Sequence, residues 1–175
     1  MLGVLHRFDV KKGDTVLVRA GTPHAIGAGC FLLEIQEPTD YTMRVEKITV
    51  AGDALTPMQI HYGLGEEALI ECFIYEGLSE KEAREKYFLS QKNDGDIEKL
   101  VTYYDTPCFA LSRMKSGGVI TPDSFVSLVI TEGGRICFDD SAVDVKRGDK
   151  IFVPYGCGDI SSISAEAIVC YPPKI

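Results

Sequence analysis

Residues 10–21 read V-K-K-G-D-T-V-L-V-R-A-G, and residues 145–156 read V-K-R-G-D-K-I-F-V-P-Y-G. Laid over each other at an offset of 135 residues, Val10, Lys11, Gly13, Asp14, Val18 and Gly21 meet identical residues, and Lys12 meets Arg147. Such agreement at one fixed offset marks an internal repeat, the first thing to look for in an unknown chain. Each copy makes the same physical statement. A Gly-Asp turn reverses the chain, a short apolar strand follows (Val16 to Val18, Ile151 to Val153), and a second turn comes at Ala20-Gly21 or Pro154-Tyr155-Gly156.

Around the second copy the pattern is all strand. Cys108 to Arg113, Phe125 to Thr131, Arg135 to Phe138, Ile151 to Val153 and Ala167 to Cys170 are short β-type runs. Gly117-Gly118, Gly133-Gly134, Asp139-Asp140 and Gly148-Asp149 punctuate them. Regular short strands predict a sandwich or jelly-roll barrel. Similar runs surround the first copy: Thr15 to Val18, Cys30 to Gln36 and Tyr41 to Val45. Between the copies, Ala68, Leu69, Cys72 and Phe73 share one helical face within Glu66 to Tyr75. Ser79 and Glu82 form a capping box that opens a second helix to about Tyr87. The polar stretch Gln91 to Glu98 reads as a linker. The expected organisation is a partial β unit over 1–57, a helical insert and linker over 58–101, and a complete small β-barrel over 102–175.

Composition narrows the function. Hydrophobic content of 45% fits a globular protein, and 17 glycines with 8 prolines suit a turn-rich β fold. A net charge of −8 with no basic cluster argues against nucleic acid and against an anionic membrane surface. No apolar run reaches the ~18 residues of a membrane-spanning helix, and Met1 to Lys12 is too short and mixed for a signal peptide. The six cysteines lie far apart without a C-x-x-C pair, which points to reduced thiols and a cytoplasmic setting.

The first copy continues as Gly21-Thr22-Pro23-His24, where the second has Asp159. A histidine on a strand after such a turn can face into a barrel and ligate a metal. By residue type alone His24 is equally a structural or exposed histidine, Arg44 a surface or ion-pair residue, and Glu34 a solvated one. The pattern G-D-x-x-x-V-x-x-G-x-x-H resembles the second motif of the cupin superfamily, whose last residue is usually a metal ligand. The run G-T-P-H-A-I-G-A-G, followed by L-L-E-I-Q-E-P-T-D-Y-T-M-R-V, resembles type I mannose-6-phosphate isomerases around their last zinc ligand and catalytic arginine. The final β unit is similar to the metal-free carboxyl-terminal cupin of the same family.

The resemblance implies a mainly β fold of cupin (double-stranded β-helix, jelly-roll) units, with this chain corresponding to the family's carboxyl-terminal part. It places His24 at a zinc-ligand position, Arg44 at the catalytic arginine and Glu34 at an acidic residue facing the active site. The family's zinc also takes a Gln, a His and a Glu from an earlier strand pair, which would precede Met1; His6 and His61 lack the sequence context of such ligands. The implied reaction is aldose–ketose isomerisation of a sugar phosphate, mannose 6-phosphate to fructose 6-phosphate. The other reading is a non-catalytic sugar-binding or regulatory cupin. Half a barrel leaves strand edges unpaired, so self-association, or pairing with a separate chain carrying the first half, is expected.

Overall fold

The computed structural model describes residues 5–37, 41–139 and 141–174. The chain divides into two compact units: Met1–Lys12 with Val18–Tyr87, and Gly13–Leu17 with Phe88–Ile175.

The second of these units carries every strand of the described chain. β1 (Lys92–Asp94), β2 (Ile97–Val101), β3 (Ala110–Met114), β5 (Val126–Glu132), β8 (Lys150–Val153) and β10 (Glu166–Tyr171) form a six-stranded antiparallel sheet in the order β1-β2-β3-β10-β5-β8. β4 (Val119–Ile120), β6 (Gly134–Phe138), β7 (Ser141–Val145) and β9 (Ile160–Ser162) form a second sheet, β4-β9-β6-β7. Alternation decides which side chains go inward. In β5, Val126, Leu128 and Ile130 are buried while Ser127 and Val129 are half-buried. They join Met114, Val153, Ala167 and Val169 from the same sheet and Ile120, Ile136, Val145 and Ile160 from the other in a single core. The core therefore lies between the sheets, as in a jelly roll. The mainly β fold and the five strands expected around the second repeat copy are present, with ends shifted by one or two residues. The stretch read as a linker, Gln91 to Glu98, instead forms β1, its turn and the start of β2.

Gly13–Leu17 belongs to this β unit. The Leu89 N–H donates to the Thr15 carbonyl (2.9 Å), Val16 bridges Phe88, and the Gln91 side chain donates to the Gly13 carbonyl. A Cβ at Gly13 would lie 3.8 Å from the Arg113 guanidinium. Arg113 in turn pairs with the buried Glu98 across β2 and β3.

The other unit is irregular apart from three helices: α1 (Pro57–His61), α2 (Glu66–Glu71) and α3 (Glu80–Tyr87). The Ser79 capping box is made in both directions, with the Ser79 N–H donating to Glu82 (2.8 Å) and the Glu82 N–H to the Ser79 hydroxyl (3.3 Å). The Ser79 hydroxyl also donates to the Glu82 carboxylate at 2.6 Å, and that bond, followed by the one from the Ser79 N–H, holds the Glu82 carboxyl below its usual range. α2 stops at Glu71, short of the expected Tyr75, because the chain turns out to pair elsewhere: the Ile74 N–H donates to the Gly21 carbonyl at 2.9 Å. The strands expected at Cys30 to Gln36 and Tyr41 to Val45 are corrected by the structure. Neither has a ladder partner among the described residues, and Phe31, Leu32, Leu33 and Tyr41 are exposed. Apolar alternation supplies a face, but a strand exists only when another strand takes its backbone bonds.

Candidate functional site

His24 follows a turn that the sequence specifies closely. The Thr22 N–H donates to the Arg19 carbonyl (3.1 Å), and Gly21 takes φ +80°. A Cβ there would meet the Cys72 carbonyl oxygen at 2.8 Å and Ile74 at 3.0 Å, so only glycine allows this approach. Two residues on, the exposed His24 ring bonds the Thr22 carbonyl through Nδ1 at 2.8 Å. A carbonyl only accepts, so Nδ1 carries the proton and Nε2 keeps its lone pair for a metal or a proton. The other two histidines are engaged differently. His6 Nε2 donates to the Leu78 carbonyl (2.7 Å), and the buried His61 accepts the Gly65 N–H at Nδ1 (3.0 Å).

Arg44 is exposed yet fixed at both ends. Its N–H donates to the Ile60 carbonyl (2.8 Å) and its Nη1 to the Gln59 carbonyl (2.9 Å). These carbonyls belong to the last turn of α1, where helical acceptors lack intrahelical partners. α1 is anchored in turn by a Thr56–Gln59 capping box with proline at the start, and by burial of Ile60 and His61. One Arg44 donor is thus spent on orientation, and among the described residues no other bond engages the remainder of its five-donor fork. Glu34 is exposed, and no hydrogen bond or ion pair joins it to His24 or Arg44.

The α1 platform has no counterpart in the sequence reading, although its signal was present. Thr56-Pro57-Met58-Gln59 is a T-x-x-Q box with proline at the first helical position, a recognised helix start.

No family model matches the chain. Mannose-6-phosphate isomerase ManA of Bacillus subtilis (strain 168) is 27% identical over 175 residues, covering 96% of this chain and 52% of its own length. The other two curated relatives of this chain are named putative mannose-6-phosphate isomerase YvyI and probable mannose-6-phosphate isomerase GmuF. Both are from the same organism, and they are each 24% identical over 87% and 91% of the chain. The chain spans about half the length of the curated mannose-6-phosphate isomerase relatives it matches, consistent with a correspondence to one part of them. Among solved structures, a zinc-bound holo mannose 6-phosphate isomerase superimposes on 70% of the chain and 31% of its own, with TM-score 0.53 and 18% identity. The Salmonella typhimurium enzyme with fructose 6-phosphate and zinc gives the same TM-score and identity over 70% of this chain and 32% of its own. At that identity the likeness shows the fold, and the fold is that of the mannose-6-phosphate isomerase cupins.

Zinc accompanies these isomerase structures, so the present residues can be tested against it. Among the described residues no three His, Cys, Asp or Glu side chains gather to hold a metal ion. A catalytic zinc takes three protein ligands and a water. His24 supplies one donor, so the residues described here do not by themselves fit zinc.

Proposed function

We propose that this chain is part of a mannose-6-phosphate isomerase-type enzyme and contributes Arg44, Glu34 and His24 to its active site. Residues 1–57 then belong to a metal-type cupin unit and 102–175 to a metal-free cupin that β1 and β2 also join, so that the insert expected over 58–101 shrinks to its helices. The observation that carries the reading is the ManA match over 96% of the chain, which takes in all three residues. Aldose–ketose interconversion moves a proton between adjacent carbons through an enediol, with no net oxidation. Negative charge develops on the sugar oxygens in that step. An arginine whose backbone and one guanidinium nitrogen are already held by Ile60 and Gln59 stabilises such charge without reorganising. His24, with a free Nε2, is the zinc-ligand position on this reading, and its companions would come from outside the described set. Glu34 faces the substrate on the family pattern. A reduced, cytoplasmic setting and a partner polypeptide, either a second copy or a chain carrying the rest of the barrel, complete the proposal.

No helix among the described residues is long and apolar enough to cross a membrane. The partner expectation is supported by apolar exposure in the irregular unit, where Phe31 is 95% and Tyr41 83% exposed. The test is a coupled assay of mannose 6-phosphate isomerisation with the purified chain, alone and mixed with the half of ManA that it does not match, with zinc measured in each sample. Activity and zinc in the mixture support the reading. Sugar-phosphate binding without turnover in any sample would favour the non-catalytic cupin instead.

A further inference from the structure

Thr42 and Arg44 are tied to one end of one short helix by three separate bonds. The Thr42 N–H donates to the Tyr62 hydroxyl at 3.1 Å, the Arg44 N–H to the Ile60 carbonyl, and the Arg44 guanidinium to the Gln59 carbonyl. Tyr62 ends α1 in the left-handed conformation, φ +54°, and packs edge-on against Tyr41 with ring centroids 5.7 Å apart. A left-handed helix cap is ordinarily glycine or asparagine. A tyrosine held there departs from that preference, and departures of this kind gather where a side chain has a second task. Here the second task is visible, because the phenol reaches back to the backbone two residues before Arg44.

We propose that Tyr62 is a positioning residue for Arg44, one that presents the guanidinium to an anionic oxygen of a sugar phosphate. The assignment rests on the functional reading above for its ligand and on the α1 geometry for its mechanism. Tyr62 fixes the approach of Tyr41–Arg44 through the Thr42 N–H. The last-turn carbonyls of α1 then take the Arg44 backbone and one guanidinium nitrogen. Loss of the phenol oxygen removes the hold on the Thr42 N–H and lets the arginine explore rotamers that waste its binding energy. Stopping the helix is a separate property, and glycine would do it without strain.

Those two properties separate in two variants. Tyr62→Phe keeps the ring and the backbone preference and removes the acceptor; Tyr62→Gly suits the cap and removes both ring and acceptor. Amide exchange by NMR in the 175-residue chain should show Thr42 and Arg44 protected, and both variants should speed these two amides about tenfold, as expected for one lost hydrogen bond. Leu128, in the β unit, serves as the unaffected control. Calorimetric titration of fructose 6-phosphate into the chain mixed with the half of ManA that it does not match should weaken several-fold in Tyr62→Phe and in Arg44→Lys, with the double variant no weaker than Arg44→Lys alone. Unchanged Thr42 exchange in Tyr62→Phe, unprotected amides in the wild type, or fully additive binding losses would each overturn the assignment. Wild-type protein that does not bind the sugar phosphate even when mixed with the half of ManA that it does not match would defeat the functional reading and the ligand with it, while the exchange arm still decides whether Tyr62 holds Arg44.

Discussion

The two copies of the repeat share a turn and part company at the strand. Gly13 and Gly148 adopt φ +96° and +92°, and Gly21 and Gly156 adopt +80° and +87°. Beyond the first turn, Ile151 and Val153 run along β8 into the core, with Val153 only 3% exposed. Their counterparts, Val16 and Val18, make no strand; Val16 has one bridge, to Phe88, and is 43% exposed. Six identical residues therefore produce the same local geometry and a different tertiary fate. A turn is set by the residues in it, whereas a strand is set by its neighbours. β8 has β5 beside it over four residue pairs, and the first copy has no such ladder among the described residues.

That contrast can be broken by mutation, and the largest effect should fall on the core that the second copy joins. Leu128→Ala empties a fully buried position opposite Ile151 and should cost about 2–5 kcal/mol. Val16→Ala, at the position equivalent to Ile151, should cost less than about 1 kcal/mol. Urea denaturation reads both. A large loss at Val16 would mean that the first copy is packed far better than its exposure indicates.

The turns give the complementary test. Gly13→Ala and Gly148→Ala each force a side chain into a left-handed conformation, at a cost of about 1–2 kcal/mol. The open space around Gly148, and the 3.8 Å clearance at Gly13, add no clash to either. The two losses should therefore be similar, and a marked inequality would show that the turns are not equivalent after all.

A chemical probe sharpens the difference between the units. Burial pushes the Cys170 thiol up to about 11, while Cys30 and Cys72 lie exposed in the irregular unit. A raised thiol value means that the neutral form is favoured on folding. Its contribution to stability is complete below the ordinary thiol value and fades as pH rises through about 11. At pH 8, buried and held as the neutral thiol, Cys170 should be alkylated well after the exposed Cys30 and Cys72. Mass spectrometry of an iodoacetamide time course checks the order, and early modification of Cys170 would contradict its burial.

Much of the β unit was legible because its signals are local and redundant. Val126 to Ile130 alternates cleanly, and Gly-Asp and Gly-Gly pairs bound the neighbouring strands. β7 escaped because only Val145 of its five residues is buried, so no alternation marks it. β1 escaped for the same reason, since Lys92, Asn93 and Asp94 are all exposed. The candidate site residues were named through a family resemblance alone, and the hold on Arg44 had no sequence signal. The hold on Arg44 depends on backbone carbonyls at Gln59 and Ile60, and a backbone acceptor leaves no trace in residue type. In the second copy the position of His24 is taken by Asp159, whose carboxylate accepts the Thr121 hydroxyl at 2.6 Å. A place that is a candidate metal ligand in one copy is thus a structural acceptor in the other.

The central claim is that Arg44 stabilises charge in a sugar-phosphate isomerisation, and one measurement reaches it directly. The half of ManA that this chain does not match would be fused ahead of residue 1, and turnover of mannose 6-phosphate measured for the fusion and for its Arg44→Ala variant. The account predicts an active, zinc-containing fusion in which Arg44→Ala lowers kcat by about a hundredfold or more, moves KM much less and leaves zinc in place. An active fusion whose kcat is untouched by Arg44→Ala would contradict it.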